Sequence, residues 1–150
     1  MRISAEGVDD PGVRGLFEAA DAYGLSLYPP ENYHALDASE FRGDDVTLLV
    51  ARADDDAALG MAALARRPEY GELKRMFVYD AARGQGVGRA LLDAVEALAA
   101  GHGIRTLRLE TGEPQAAAIR MYERAGYRRI ERFGEYLADP TSVCMEKSLT

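Results

Sequence analysis

The sequence predicts an α/β domain in which a mixed β-sheet carries helices on both faces. Strand-like and helix-like segments succeed one another in the order β-α-α-β-β-β-α-β-α-β-β. A hydrophobic content of 47% gives 150 residues enough apolar material for the core of about one domain. No repeat, low-complexity tract or proline-rich linker interrupts the pattern, so one domain spanning residues 1–150 is expected.

The composition argues against several classes of protein. A net charge of −7 disfavours a nucleic-acid binder, which usually carries a basic surface. No apolar run approaches the roughly 18 residues of a membrane helix, and the start MRISAEGVDDPG lacks a signal peptide's apolar block, so a cytoplasmic protein without a membrane partner is expected. A single cysteine, Cys144, and two distant histidines, His34 and His102, predict neither a disulfide nor a metal site.

The N-terminal third is predicted to hold one strand, one helix and a shaped loop. A short strand covers Arg2 to Ala5, and apolar residues then recur at helical spacing in DDPGVRGLFEAADAYG. Pro11 suits the first turn of that helix and Gly24 its end. The paired prolines of LSLYPPENYHALDASEFRG leave room for at most a short helix after Pro30.

Three successive strands are predicted next, over VTLLVARA, ALGMAALARR and GELKRMFVYD. The acidic turn from Asp54 to Asp56 separates the first two, so an antiparallel meander is expected. A helix from about Gly86 to Gly101 follows, then the strand IRTLRLET and a helix over PQAAAIRMYERAG that Gly126 ends. The strands YRRIERF and TSVCMEKSL complete the order.

A glycine-rich loop stands directly before the long helix. Gly84, Gly86 and Gly88 occupy every second position, which lets a phosphate approach the backbone amides and the positive end of the helix dipole. Basic residues concentrate nearby: Arg66, Arg67, Lys74, Arg75, Arg83 and Arg89. The P-loop and G-x-G-x-x-G patterns are both absent, which disfavours ATP and NAD. The alternative is a loop that only closes a helix end beside solvated arginines.

This loop resembles the acyl-CoA motif of the GCN5-related N-acetyltransferases (GNAT). The family pattern Q/R-x-x-G-x-G/A is matched by RGQGVG, from Arg83 to Gly88, directly after the strand LKRMFV. The resemblance continues through the following helix and strand to QAAAIRMYERAGYRRI, which is similar to the family's Y-E-K/R-x-G-F/Y segment. It covers about the last half of the chain. Gln115 departs from the pattern, since the family often has asparagine there.

The resemblance implies the GNAT acyl-CoA N-acyltransferase fold and acetyl-CoA as acyl donor. A primary amine would attack the thioester while both substrates are bound. The donor's pantetheine arm would lie along the strand ending at Val78, which has a bulge in family members. The implied cofactor-binding residues are Met76, Phe77, Val78, Arg83, Gly84, Gln85, Gly86, Val87, Gly88, Arg89 and Gln115. The side chains of the first three serve equally well as alternating sheet residues.

Two catalytic residues are predicted from the same resemblance. An alkylammonium acceptor must lose a proton before it attacks, and Glu72 stands where some family members have a catalytic glutamate. A strand carboxylate paired with Lys74 or Arg75 is the equal alternative, and Glu110 and Glu31 are weaker choices of base. Tyr122 matches the family's general-acid tyrosine, which would protonate the departing thiolate.

Two further readings of these side chains stay open. Tyr122 could instead form an apolar helical stripe with Ile119 and Tyr127. Cys144 could suggest an acyl-cysteine intermediate, but no histidine is an evident partner, and a free cysteine commonly serves as a small core residue.

The acceptor side is predicted in the aromatic segment YPPENYHALD, with Tyr33, His34 and Glu31 as substrate contacts. An aromatic lid that fills the core is the alternative. A small-molecule amine is the expected acceptor, and a protein amine, another acyl group or a non-catalytic acyl-CoA-binding module are kept as alternatives. A homodimer is left open.

Overall fold

The computed structural model describes residues 1–36 and 38–150, without the side chains of residues 38 and 42. Asp37, which belongs to the predicted acceptor segment, lies outside the described residues. Within that part of the chain there are seven strands: β1 (Arg2–Ala5), β2 (Val46–Arg52), β3 (Ala58–Arg66), β4 (Gly71–Val78), β5 (Thr106–Gly112), β6 (Arg128–Ile130) and β7 (Ser142–Ser148). The α-helices are α1 (Pro11–Leu27), α2 (Val87–Gly101) and α3 (Ala116–Arg124).

The strands form one mixed sheet in the order β1-β2-β3-β4-β5-β7-β6. Every neighbouring pair is antiparallel except β4 and β5, which run parallel. The crossover between these two strands is α2, as a parallel connection requires. The predicted meander of β2, β3 and β4 and the predicted fold class are therefore confirmed.

Helices cover both faces of the sheet because successive strand side chains point to opposite sides. Leu48 and Val50 of β2 pack on α1, whereas Leu49 and Ala51 pack on the face that α2 and α3 cover. On α1, Asp10 accepts hydrogen bonds from the amides of Gly12 and Val13, which caps the first turn.

Helix α1 continues to Leu27, so the prediction that it ends at Gly24 is wrong. This glycine is required for a close approach rather than for a helix end. A Cβ at Gly24 would lie 2.1 Å from Cε1 of Tyr33, whose ring packs directly on the helix backbone. A missing side chain in mid-helix therefore marks the place where the acceptor segment docks.

The C-terminal elements are shorter than predicted. The segment YRRIERF contributes only Arg128–Ile130 to the sheet, and the chain then leaves the sheet until Ser142. This excursion contains a 3₁₀ turn, Gly134–Tyr136, whose Tyr136 is almost fully buried. The helix predicted from Pro114 likewise begins at Ala116, after the 3₁₀ turn Glu113–Gln115.

Strand β4 is distorted and separates from β5. Its register against β3 shifts by one residue between Lys74 and Phe77, so Arg75 and Met76 together oppose a single residue. Arg75 has a φ of 55°, in the left-handed region. This is the bulge that the resemblance implied. Pairing with β5 occurs at Gly71 and Glu72 only, and beyond this point β4 has no strand partner on that side.

None of the helices in the described residues is long and apolar enough to cross a membrane.

Candidate active site

A cleft opens where β4 and β5 separate. It has a volume of about 120 Å³, and β4 lines one wall from Leu73 to Phe77 while Leu109, Glu110 and Thr111 of β5 line the other. The remaining lining residues come from α1, the segment after it, α3 and the C-terminal excursion: Ala20, Tyr23, Gly24, Tyr28, Asn32, Tyr33, His34, Ala35, Gln115, Tyr122 and Tyr136. Five tyrosines and one histidine thus surround the end of the split.

The glycine loop is shaped to receive an anion. Gly84 and Gly86 have φ values of 78° and 82°, and a Cβ at either would meet nothing within 4 Å. Gly86 is the N-cap of α2, and it offers no side chain to that helix end. The amides of Val87, Gly88 and Arg89 in the first turn have no intrahelical acceptor. The donor set fits a phosphate group, since it combines free amides with the helix dipole.

The other predicted loop residues have identifiable roles in the protein itself. Arg83 pairs with Asp80 at 2.7 Å, and Arg89 pairs with a carboxylate one turn along α2. The Gln85 amide donates to a carbonyl in the preceding turn. Val87 is buried in the core, and a Cβ at Gly88 would lie 3.3 Å from Sδ of Met121, so these two positions pack α2 against its neighbours.

The three predicted residues of β4 place their side chains in the two cores. Met76 and Val78 pack on the α2 face, and Phe77 packs on the α1 face beside Tyr23 and Tyr79. Met76 and Phe77 also line the cleft, and beyond Glu72 the edge of β4 beside the split has no strand partner among the described residues.

Tyr122 projects from α3 into the cleft and is 5% exposed. Its ring packs against Tyr127 at 5.9 Å, and its hydroxyl has no hydrogen bond to another described residue. Burial, and secondly the charge of Glu110, raise its pKa. The hydroxyl is therefore a protonated group at neutral pH.

Glu72 lies beside the cleft but does not line it. Its carboxylate accepts a hydrogen bond of 2.5 Å from Tyr136 and one of 3.3 Å from Nε of Arg67, and Nζ of Lys74 lies 3.7 Å away. The side chain is 5% exposed. The ion-pair alternative from the sequence, pairing with Lys74, is thus present in the structure, and the base role of Glu72 stays a prediction.

Glu110 lines the cleft directly. Its carboxylate accepts a hydrogen bond of 2.7 Å from the Ser142 hydroxyl, across the β5 and β7 pairing. Burial raises its pKa to about 7, against a smaller opposing effect of the Ser142 hydrogen bond.

The acceptor segment is anchored on both sides of the cleft. The Tyr33 hydroxyl donates to Asp21 at 2.8 Å, and Arg75 also donates to this carboxylate at 2.6 Å. His34 lies 2.7 Å from Asp139 through its Nε2. Glu31 is exposed on the 3₁₀ turn Pro30–Asn32 and does not line the cleft, so its predicted substrate contact has no geometric support.

Lys74 joins this segment to the C-terminal excursion. Its ammonium donates to the backbone oxygen of His34 at 3.0 Å and to the Tyr136 hydroxyl at 2.6 Å. Hydrogen bonds from Asn32, from Thr141 and from His34 hold the pKa of Asp139 below its usual range.

Gln115 closes the split at its far end. Its side-chain amide donates to the hydroxyl of Tyr28 at 3.0 Å, and Tyr28 in turn lies over Gly112, where a Cβ would meet the hydroxyl at 2.4 Å. Gln115 lines the cleft, and its contact with the donor stays a prediction.

Sequence reasoning missed four residues of this site: Tyr28, Tyr136, Asp139 and Ser142. The available signals were the aromatic residues before the paired prolines and the aromatic excursion FGEYLADPTS. Neither pattern says which residue reaches the cleft.

The chain matches the model of the acetyltransferase (GNAT) family over residues 13–127. It is 41% identical to an IAA acetyltransferase of Azospirillum brasilense, over 99% of this chain and 98% of that relative. The chain belongs to the GNAT family. It is an acyltransferase.

Solved structures agree with this assignment. An acyl-CoA N-acyltransferase from Klebsiella pneumoniae, described as putative, superposes with a TM-score of 0.83 at 35% identity, covering 99% of this chain and 97% of its own. The PaiA N-acetyltransferase of Thermoplasma acidophilum, solved with coenzyme A, has the same fold at 18% identity, with a TM-score of 0.75 and 99% of each chain covered.

Proposed function

We propose that this GNAT acyltransferase moves the acetyl group of acetyl-CoA to a primary amine of a small molecule, by direct attack while both substrates are bound. The observation that supports this proposal most is the cleft itself, where the bulged β4 meets two protonatable groups, Tyr122 and Glu110. The glycine loop follows β4 in the chain and leads into the start of α2.

The donor half of this proposal rests on backbone groups. The amides at the start of α2 bind the pyrophosphate, and the edge of β4 that faces the split pairs with the amides of the pantetheine arm. The predicted side-chain contacts at Met76, Phe77, Val78, Arg83, Gln85, Val87, Arg89 and Gln115 are secondary to these, because most of those side chains have partners in the protein.

The acid half of the mechanism belongs to Tyr122. As the new C–N bond forms and the C–S bond breaks, the sulfur gains negative charge, and the Tyr122 hydroxyl donates a proton to it. Burial supports this role, since it keeps the hydroxyl protonated and leaves it without a competing partner among the described residues.

The acceptor half of the cleft favours an amine. Lys74 and Arg75 are already engaged by Tyr136 and by Asp21, so these cations offer little to a substrate carboxylate. Glu110 has no such cation partner within hydrogen-bonding distance among the described residues, and tyrosine rings around it can receive an ammonium group. The volume of about 120 Å³ favours a small acceptor over a protein chain.

Release of CoA thiol from acetyl-CoA, measured over a library of primary amines, tests the proposal. Beside these amines, the panel contains lysine-containing peptides and the compound abbreviated IAA in the relative's name. We expect turnover with one group of small amines, and mass spectrometry of the product shows the mass of one added acetyl group. Preference for another acyl-CoA or for peptides would favour the corresponding alternative, and donor binding without turnover of any acceptor would favour a binding module.

A further inference from the structure

Two carboxylates flank the split between β4 and β5, one buried (Glu72) and one half-buried (Glu110), and their surroundings differ. Glu72 is held by Tyr136 at 2.5 Å and by Arg67 at 3.3 Å, with Lys74 at 3.7 Å. These contacts occupy the carboxylate and let it hold its neighbours in place.

Glu110 has the opposite surroundings. It follows Leu109 on β5, beyond the last residues that pair with β4, and its carboxylate therefore faces the open part of the split. One hydroxyl, that of Ser142, holds it at 2.7 Å. The Lys74 ammonium, which also lines the cleft, donates its hydrogen bonds to Tyr136 and to a backbone oxygen instead.

We propose that Glu110 is the general base that takes the proton from the acceptor ammonium, and that Glu72 is a positioning residue that fixes Tyr136 and Lys74. The inference rests on the proposed acetyl transfer to an amine and names the group that starts it.

The protons balance as follows. One leaves the ammonium nitrogen for a Glu110 oxygen, and the freed lone pair forms the bond to the thioester carbon. The nitrogen loses a second proton as the amide forms, and this proton passes through water to the Tyr122 oxygen, where it replaces the proton that Tyr122 gave to the sulfur. The proton on Glu110 passes to water, so the reaction releases one proton overall.

The charged and titratable groups around Glu110 suit this role. Burial has the largest effect on the pKa of Glu110 and raises it to about 7. His34 and Lys74 act against the increase, and Asp139 adds to it. The other titratable groups that interact with Glu110 are Tyr28, Tyr122, Tyr136 and Cys144. A base with a pKa near the working pH can accept a proton and release it within each turnover.

The test compares Glu110→Gln with Glu72→Gln under conditions where chemistry limits the rate. We expect Glu110→Gln to lower kcat/KM for an alkylamine by roughly 100- to 10,000-fold and to abolish the acid limb of the pH profile. Glu72→Gln retains an acceptor oxygen for Tyr136, so it should keep that limb while mainly raising the acceptor KM. Calorimetry with acetyl-CoA should give parent-like affinity for both variants.

An acceptor that needs no deprotonation before attack gives the second readout. An alkoxyamine is uncharged at neutral pH, so Glu110→Gln should lose at least tenfold less activity with it than with the alkylamine. A parent-like acid limb in folded Glu110→Gln, or loss of that limb in Glu72→Gln instead, would overturn the assignment. A wild-type protein that binds acetyl-CoA and turns over no amine overturns the proposed function as well, so the two failures are distinguishable.

Discussion

At the scale of single residues, chemistry depends on which polar groups the protein leaves without a partner. Tyr122 and Tyr127 pack against each other, yet the Tyr127 hydroxyl donates to Glu96 at 2.9 Å while that of Tyr122 faces the cleft. Two tyrosines five residues apart thus have different surroundings. The sequence suggested two roles for Tyr122: its contact with Tyr127 is the packing that the apolar stripe requires, and its acid role stays a prediction.

Tyr122→Phe removes one oxygen and keeps the ring. We expect turnover to fall roughly 10- to 1,000-fold, because the thiolate then leaves without its proton donor, while acetyl-CoA affinity and thermal stability change little. Steady-state kinetics at saturating donor provide the measurement. Tyr127→Phe is the matched control and should keep parent-like turnover. Full turnover in Tyr122→Phe would mean that Tyr122 serves only in packing.

Glu110 also predicts a dependence of stability on pH. Its pKa is raised from 4.5 to about 7 in the folded protein, so between these values the native state binds more protons than the unfolded state. The free energy of unfolding should therefore fall as pH rises through this window, and the loss persists above it.

A glutamine does not ionise, so Glu110→Gln should not show this fall in the free energy of unfolding. Urea unfolding should show the variant more stable than the parent by about 2 kcal/mol near pH ~8, and equal to it near pH ~4.5. The figure allows for solvent screening at a site that is only partly buried. An equal difference at both pH values would mean that the carboxylate ionises normally.

At the scale of elements, the start of α2 combines a left-handed glycine, free amides and open space. Gly86→Glu places a negative side chain where the phosphate must lie, so we expect acetyl-CoA affinity to fall by at least tenfold in calorimetry. Gly103→Glu is a suitable control, because Gly103 has a φ of 77° and open surroundings at the other end of the helix. Equal affinity in both variants would place the pyrophosphate elsewhere.

The acceptor segment packs on helix α1 at Gly24, where the helix has no side chain. Alanine normally stabilises a helix interior relative to glycine by about 1 kcal/mol. At Gly24 the added methyl would meet the Tyr33 ring at 2.1 Å, so Gly24→Ala should lower the melting temperature and raise the acceptor KM. Gly101→Ala, with nothing within 4 Å, should be neutral or slightly stabilising. If Gly24→Ala leaves the acceptor KM unchanged, the position of Tyr33 does not affect acceptor binding.

At the scale of the whole molecule, the site is closed by contacts between distant parts of the chain. Tyr136, from the excursion between β6 and β7, stands between Glu72 and Lys74 of β4, and Lys74 holds the backbone of His34 from the segment after α1. Three parts of the chain therefore meet at one buried hydroxyl.

Removal of the Tyr136 hydroxyl should lower the free energy of unfolding, and the size of this effect should depend on Glu72. Tyr136→Phe leaves two buried charges short of a partner, and we expect a loss of about 1–3 kcal/mol in the free energy of unfolding. The double variant with Glu72→Gln should lose less than the sum of the single variants. Tyr70→Phe is the control, since its hydroxyl has no hydrogen bond to a described residue. Strict additivity would mean that Tyr136 and Glu72 act independently.

The sequence by itself determined the fold class, the order of the strands and helices, and the glycine loop at the start of α2. Each of these depends on local patterns: periodicity of two or 3.6, turn residues, and glycines at a helix start. The predicted end of α1 and the predicted length of β6 were wrong. The Tyr33 ring that packs on Gly24 and the burial of Tyr136 outweigh the local sequence signals there.

Only the tertiary structure decided how the two carboxylates differ. Glu72 and Glu110 look alike in the sequence, each an acidic residue on a strand. Tyr136 lies 64 residues from Glu72, and Ser142 lies 32 residues from Glu110. His34 and Asp139 close the same site across 105 residues. The register of β4 against β3 and β5 sets which carboxylate is saturated with partners and which faces the split, and no local pattern encodes that register.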